Sequence, residues 1–160
     1  MDKEIIIYTD GSSLGNPGPG GWAAILISGR RRLEISEGYN HTTNNRMEIL
    51  AAIEALSRLK KAGSKVILHS DSQLLTDTIN KGWLENWKRK GWKRSGNNRV
   101  LNRDLWERLD KLLEVHNVRF KWVPAHVGIT ENERCDELSK QSAASPNKKD
   151  DVEYLLSLQK

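Results

Sequence analysis

Two short stretches, "IIYTDG" and "ILHSDS", each run from a pair of aliphatic residues through a ring and a hydroxyl to an aspartate, Asp10 in the first and Asp71 in the second. Aliphatic runs of this kind form strands inside a sheet, so the pair would bring two carboxylates to the ends of parallel neighbours. Six-residue echoes also arise by chance, and a shared site needs independent support. Glu48 supplies some. Its helical neighbours at i+4, i+7, i+8 and i+11 are Ala52, Ala55, Leu56 and Leu59, which puts it on an apolar stripe that carries no Lys or Arg. A plainer reading makes Glu48 a first-turn acid favoured by the helix dipole and reaching round to solvent. Asp136 shares a helix face with Asn132, Ser139 and Ala143, and helical spacing alone reads it as a solvated acid.

Three or four carboxylates a few ångströms apart stay ionised together only around a cation. Oxygen ligands without Cys or His point to a hard ion, Mg²⁺ or Mn²⁺, that completes its shell with water and substrate phosphate. The charge distribution suggests whose phosphate. From Lys81 to Arg103 the chain carries eight Lys or Arg against Glu85 alone, a local net of +7, while the whole chain is +5, which leaves 5 − 7 = −2 elsewhere. Segregated positive charge beside an acidic metal site is the pattern of phosphodiester chemistry on a nucleic acid.

The elements that must position these residues follow from the pattern of the 160 residues, which suit one compact domain. "EIIIYTD", "GWAAILIS" and "RLEISEGYN" read as an antiparallel meander separated by turn chemistry. "TNNRMEILAAIEALSRLKKAG" reads as a long helix capped by Thr43 or Asn44, and "KVILHSD" as a strand leading to a short helix from about Ser72. "LNRDLWERLDKLLEVH" is a helix, "VRFKWV" a strand, and "TENERCDELSKQSAA" a last helix with Thr130 as cap and Glu133 completing a capping box. This order predicts an α/β protein: a mixed sheet flanked by helices on both faces, with sites at the carboxyl ends of central strands. "SPNKKDD" reads as a linker before the short apolar end "VEYLLSLQK". The single Cys135 allows no internal disulfide, and the N-terminal apolar run is too short for a signal peptide or membrane span, so a soluble protein of the reducing cytoplasm is expected.

"YTDGSSLGNPGPGG", "TTNNRMEILAA", "SDSQ" and "AHVGITENERCDELS" together resemble type 1 ribonuclease H in its bacterial single-domain form. The resemblance runs from Asp2 to about Ala144. It implies a ribonuclease H-like fold with a five-stranded mixed sheet over residues 1–144, a C-terminal tail over 145–160, and hydrolysis of the RNA strand of an RNA/DNA hybrid by a monomer. Onto matching positions it carries metal ligation by Asp10, Glu48, Asp71 and Asp136, an auxiliary catalytic role for His126, RNA-strand contacts from Asn16, Asn44, Asn45 and Gln73, and a phosphate pocket for the DNA strand at Thr43 and Asn102. Asn16 before Pro17 and Asn44 at a helix start also suit plain turn and cap roles. The basic protrusion of the bacterial enzymes corresponds to Trp83–Arg99, with Lys88, Arg89, Lys90, Lys93, Arg94 and Arg99. Trp92 is placed to touch sugars of the DNA strand, while Trp83 and Trp87, at i,i+4 spacing, suit packing of a helical hairpin.

The expected reaction is in-line attack of water on phosphorus with two metal ions, Mg²⁺ or Mn²⁺, bound alongside substrate, leaving 5′-phosphate and 3′-hydroxyl ends. His69, in an apolar strand, and His116, at a helix end, read as structural. The chain departs from the family pattern in Pro124-Ala125 before His126, which stiffens that loop, and in His41 where an Arg is common. A silent hybrid-binding module would have lost one or more of the four acids. A DNA nuclease of the same fold would leave the Asn and Gln set unexplained.

Overall fold

The computed structural model describes residues 4–94, 96, 98–125 and 127–159; His126 lies outside the described residues. The chain runs β1 (Ile5–Ser13), β2 (Gly18–Ser28), β3 (Arg31–Thr42), α1 (Asn44–Ser57), β4 (Lys65–Ser70), α2 (Gln73–Asn80), α3 (Trp83–Arg89), α4 (Arg103–Val115), β5 (Asn117–Trp122), α5 (Thr130–Ala143) and α6 (Val152–Ser157). The strands form one mixed sheet in the order β3-β2-β1-β4-β5. β1 is antiparallel to β2, and β1, β4 and β5 are parallel. This is the expected five-stranded sheet, and it follows from two hairpins, then helical crossovers that return β4 and β5 in the direction of β1.

Alternation along the strands supplies the two faces. Ile7, Trp22, Ala24 and Leu26 pack into the large core beneath α1 and α4, where Met47, Ile49, Leu50, Ile53 and Leu56 are also buried. Each of those helical side chains contributes about 1.5–3 kcal/mol relative to exposure. Ala23 and Ile25 face the other way and pack with Cys135 of α5. Two glycines seat that helix. A Cβ at Gly21 would stand 2.2 Å from the Ser139 carbonyl oxygen, and one at Gly38 would stand 2.0 Å from that of Ser142. The two are cross-strand partners, so α5 lies with its backbone directly on β2 and β3.

Several boundaries differ from the sequence expectation. β1 does not end at Asp10: its pairing with β4 stops at Thr9 and Ser70, but its pairing with β2 continues to Ser13. α5 has no side-chain cap from Thr130, and Glu133 accepts from the Gly128 N–H at 3.1 Å instead of closing a capping box. α1 ends at Ser57, before the lysines and glycine expected to stop it. Nor is "SPNKKDD" a free linker. The Lys149 N–H donates to the Gly38 carbonyl at 2.9 Å and the Asn40 N–H to the Lys149 carbonyl at 2.8 Å, so the segment adds to the outer edge of β3 before turning into α6. Covering an edge strand in this way satisfies backbone groups that no side-chain pattern advertises. Among the described residues, no helix is long and apolar enough to cross a membrane.

Candidate active site

Asp10 follows Tyr8 on the face of β1 toward α5, just past the point where β4 falls away. Its carboxylate accepts the Gly11 N–H at 2.9 Å, and the residue is only 3% exposed. Asp71 occupies the two-residue connection from β4 to α2 and is fixed from both sides. Ser72 caps α2 by accepting from the Leu75 N–H, and the Trp122 indole donates to the Asp71 carbonyl oxygen at 3.1 Å.

Glu48 comes from α1 on the opposite face of the sheet. Thr43 caps this helix, and Asn16 accepts from the Asn44 N–H at 3.1 Å, which ties the β1–β2 loop to its start. Glu48 is the fifth residue of α1, and the first turn holds no acid, so the dipole reading is set aside. What lets it reach the strand is Gly11, where a Cβ would stand 2.4 Å from the Glu48 backbone nitrogen. With only hydrogen at that position, the helix backbone rests against β1 and the Glu48 side chain passes over the strand.

Carboxylate oxygens of Asp10, Glu48 and Asp71 therefore lie within 4.8 Å of one another. Glu48 is 5% exposed, and its Oε2 is buried with no hydrogen-bond partner. Burial, and next the Asp71 charge, push the Asp10 carboxyl up to about 8. Burial and then the charges of Asp10 and Asp71 push Glu48 well above the usual carboxylate range. An orphaned buried oxygen and three mutually opposed carboxylates fit a divalent cation bound by oxygen ligands, and fit little else.

A cavity of about 420 Å³ opens over the cluster, and Asn44, Asn45 and Gln73 line it. Asp136 lines it too, from α5, where its Oδ2 accepts from Lys140 Nζ at 3.0 Å. The fourth acid thus shares the cavity but is engaged by a lysine. Asn16, Thr43, Trp92 and Asn102 line a second groove, of about 1040 Å³, between the basic loop and α6, and Asn45 borders both. Trp92 is half-buried at φ 65° with the Arg103 guanidinium 5.3 Å from its ring centroid.

Within the basic segment, Lys88 donates to Asp110 at 3.0 Å and is committed to α4, whereas Arg89, Lys90, Lys93, Arg94 and Arg99 are exposed. Trp87 packs edge-on against Trp106, with ring centroids 5.8 Å apart; Trp83 is 38% exposed, with Lys81 over its ring. His69 stacks on Tyr8 with centroids 4.3 Å apart, and burial holds its pKa below the ordinary imidazole value. Sequence reasoning missed Gly11, the Trp122 indole and Lys140. Gly11 carried a signal in hindsight, a glycine inside a strand pattern; the other two carried none.

Comparison with known proteins identifies the family. Residues 2–144 match the RNase H family. The chain is 55% identical over 152 residues to a ribonuclease H of Syntrophus aciditrophicus, covering 95% of this chain and 87% of that one. The fold superposes on LC9-RNase H1, a type 1 RNase H with the type 2 active-site motif, at TM-score 0.81 and 29% identity, over 90% of this chain and 74% of that one. It also superposes on LC11-RNase H1, solved in complex with an RNA/DNA hybrid, at TM-score 0.66 and 26% identity, over 88% and 96% of the two chains. With a matching domain over nearly its whole length, a relative identical at more than half of the aligned positions, and an oxygen-lined cluster at the end of the β1–β4 pairing, the chain belongs to the ribonuclease H family.

Proposed function

We infer that this ribonuclease H cleaves the RNA strand of RNA/DNA hybrids at the cluster of Asp10, Glu48 and Asp71, with Asp136 completing the set when Lys140 releases it. The observation that carries the reading is the unpartnered, buried Glu48 oxygen beside two further carboxylates at the mouth of a polar cavity. Mg²⁺ is the expected ion and Mn²⁺ an accepted one, two per site with substrate bound. Bound divalent ions supply activation of the attacking water and stabilisation of the departing 3′ oxygen.

The chain's own residues do the rest. Asp10, on a central strand paired on both sides up to Thr9, holds its position without reorganising during the reaction. Asn44, Asn45 and Gln73 line the same cavity and offer short amides, which donate to and accept from ribose 2′-hydroxyls and so select the RNA strand. Asn16 serves the same strand from the neighbouring groove. Thr43 and Asn102 receive a phosphate of the DNA strand there, with Trp92 against its sugars. Arg89, Lys90, Lys93, Arg94 and Arg99, with Lys88 as their anchor on α4, steer the duplex. His126 moves a proton near the leaving group, a role that rests on the resemblance of its loop. The enzyme works as a monomer in the cytoplasm, and residues 1–144 form the catalytic domain.

Labelled RNA/DNA hybrid, RNA duplex and DNA duplex, each with Mg²⁺ and with EDTA, test this directly. Cutting of the hybrid alone, abolished by EDTA, with 5′-phosphate on the products, is the expected result. Equal cutting of all three duplexes, or hybrid cutting undiminished by EDTA, would overturn it.

A further inference from the structure

Arg46 stands outside the acidic cavity and has no part in the metal chemistry, yet it is only 3% exposed. All five N–H donors of its guanidinium are used. Two go to Asp104, from Nη1 at 2.9 Å and Nη2 at 2.7 Å; two go to Asp151, from Nε at 2.7 Å and Nη2 at 3.0 Å. The fifth, from Nη1, goes to Asn102 Oδ1 at 3.3 Å. Asp151 is itself held by the Thr42 hydroxyl, which donates to its Oδ2 at 2.7 Å, and it caps α6. Asp104 lies in the first turn of α4, two residues after Asn102, whose backbone is left-handed at φ 61°.

This arrangement determines which end of the Asn102 amide faces out. An asparagine amide is a flat group with an acceptor at one end and two donors at the other. With Oδ1 turned in to Arg46, Nδ2 is left for the groove that Asn102 lines together with Thr43, Tyr154 and Ser157. A phosphate accepts hydrogen bonds and donates none, so only that orientation binds one. The guanidinium stays in place because two carboxylates hold it, and one of them, Asp151, belongs to the C-terminal segment beyond the family match at residue 144.

We propose that Asp151 is a positioning residue for the DNA-strand phosphate pocket: it locks Arg46 so that Arg46 holds the Asn102 amide with its donors toward the groove. The proposal rests on the assignment of Asn102 to that pocket. It also gives α6, a wall of the same groove, a place in substrate binding.

Charge alone predicts the opposite sign. Asp151→Asn removes a negative charge near a phosphate site and on that ground should tighten binding. Loss of positioning should weaken it. In the full-length protein at 15 °C, with folding checked by circular dichroism, Asp151→Asn should raise KM for the hybrid ~5- to 10-fold, the worth of about one hydrogen bond. Turnover at saturating hybrid should stay within about twofold, because the acids are untouched. Asn102→Ala should raise KM comparably, and the double variant should be no weaker than Asn102→Ala alone, since both changes act through one amide.

A mere loss of stability would lower the melting temperature without producing that non-additivity. Thr42→Val, which removes one of the bonds to Asp151, is the milder variant should Asp151→Asn not fold; it should raise KM roughly twofold, and not at all in the Asn102→Ala background. Unchanged or tighter binding by Asp151→Asn, or additive losses in the double variant, would overturn the proposal while leaving the pocket standing. An Asn102→Ala variant that binds hybrid normally would remove the pocket itself, and the proposal with it.

Discussion

Replacing Asp10 by Asn should make the metal-free protein more stable, and the gain should grow with pH. The Asp10 carboxyl titrates near 8, burial raising it most and the Asp71 charge next, against about 3.9 in an unfolded chain. A folded pKa above the unfolded one means that the native state holds the proton more tightly. The wild type is therefore unpenalised below about pH 4, loses stability as pH climbs from about 4 to about 8, and levels off above that. At about 1.4 kcal/mol per unit, some three units at pH 7 amount to about 4 kcal/mol. Glu48 is raised, after burial, by Asp10 itself and then by Asp71; the two carboxyls share one titration, so the Asp10 shift is not all independent, and roughly 2–3 kcal/mol is to be gained. Asn keeps an acceptor for the Gly11 N–H that Asp10 now binds. For a chain of this size the gain is a rise in Tm of about 4–12 °C.

Thermal and urea unfolding in EDTA at pH 5, 7 and 9 measure this directly. The advantage of Asp10→Asn should be at most about 1 kcal/mol at pH 5 and largest at pH 9. Adding Mg²⁺ should then raise the wild type and leave the variant unmoved. A variant less stable than the wild type in EDTA, or a gain equal at pH 5 and pH 9, would refute the picture of crowded, buried carboxylates.

Three further outcomes follow from other parts of the molecule. Changing Arg89, Lys90, Lys93 and Arg99 together to Gln should flatten the slope of log affinity against log salt by roughly 2 units and raise KM, with turnover at saturating hybrid within about tenfold; collapse of turnover with an unchanged slope would make the segment a brace instead. Gly11→Ala, whose methyl would meet the α1 backbone, should destabilise by about 2–3 kcal/mol and weaken Mg²⁺ binding in calorimetry, and unaltered Mg²⁺ affinity would refute the close-approach argument. His126→Ala should lower turnover ~10- to 100-fold with hybrid affinity preserved, whereas normal turnover would remove it from the mechanism.

What the sequence revealed and what it hid divide along physical lines. Ile5 to Tyr8 and Val66 to His69 announce central strands because a buried strand must be apolar on both faces. Glu48 announces itself because a charge on an apolar stripe contradicts its neighbours. Signals of this sort are local. The Arg46 cluster was hidden because its acids stand 58 and 105 residues away along the chain, and each taken singly is an ordinary charge. The pairing of Lys149 with the edge of β3 was hidden because it is made by backbone atoms, and a polar stretch that pairs with a sheet edge has the composition of a linker. Thr130 and Glu133 matched a capping box in spacing, but the chain enters α5 through Ile129 and the Glu133 carboxylate meets the Gly128 N–H first. Gly21 and Gly38 are recognisable only once their cross-strand pairing and the helix above them are known.

The site itself works against the stability of the fold that carries it. Asp10 reaches it from one face of the sheet, Glu48 from the other over Gly11, and Asp71 from the connection that begins where β4 stops. They meet where β1 keeps its partner on one side and loses it on the other, a place that is rigid and open at once. The result is a buried oxygen without a partner and two carboxyls displaced far from their ordinary range. In the absence of a cation these are unfavourable terms, offset by the apolar core beneath α1. A cation removes them, so the free energy by which it stabilises the fold is the same free energy by which the fold binds it. Relief of the repulsion by any substitution should therefore weaken cation binding as it strengthens the apo fold, and rigidity at the β1–β4 end keeps the three acids from relaxing apart and avoiding that exchange.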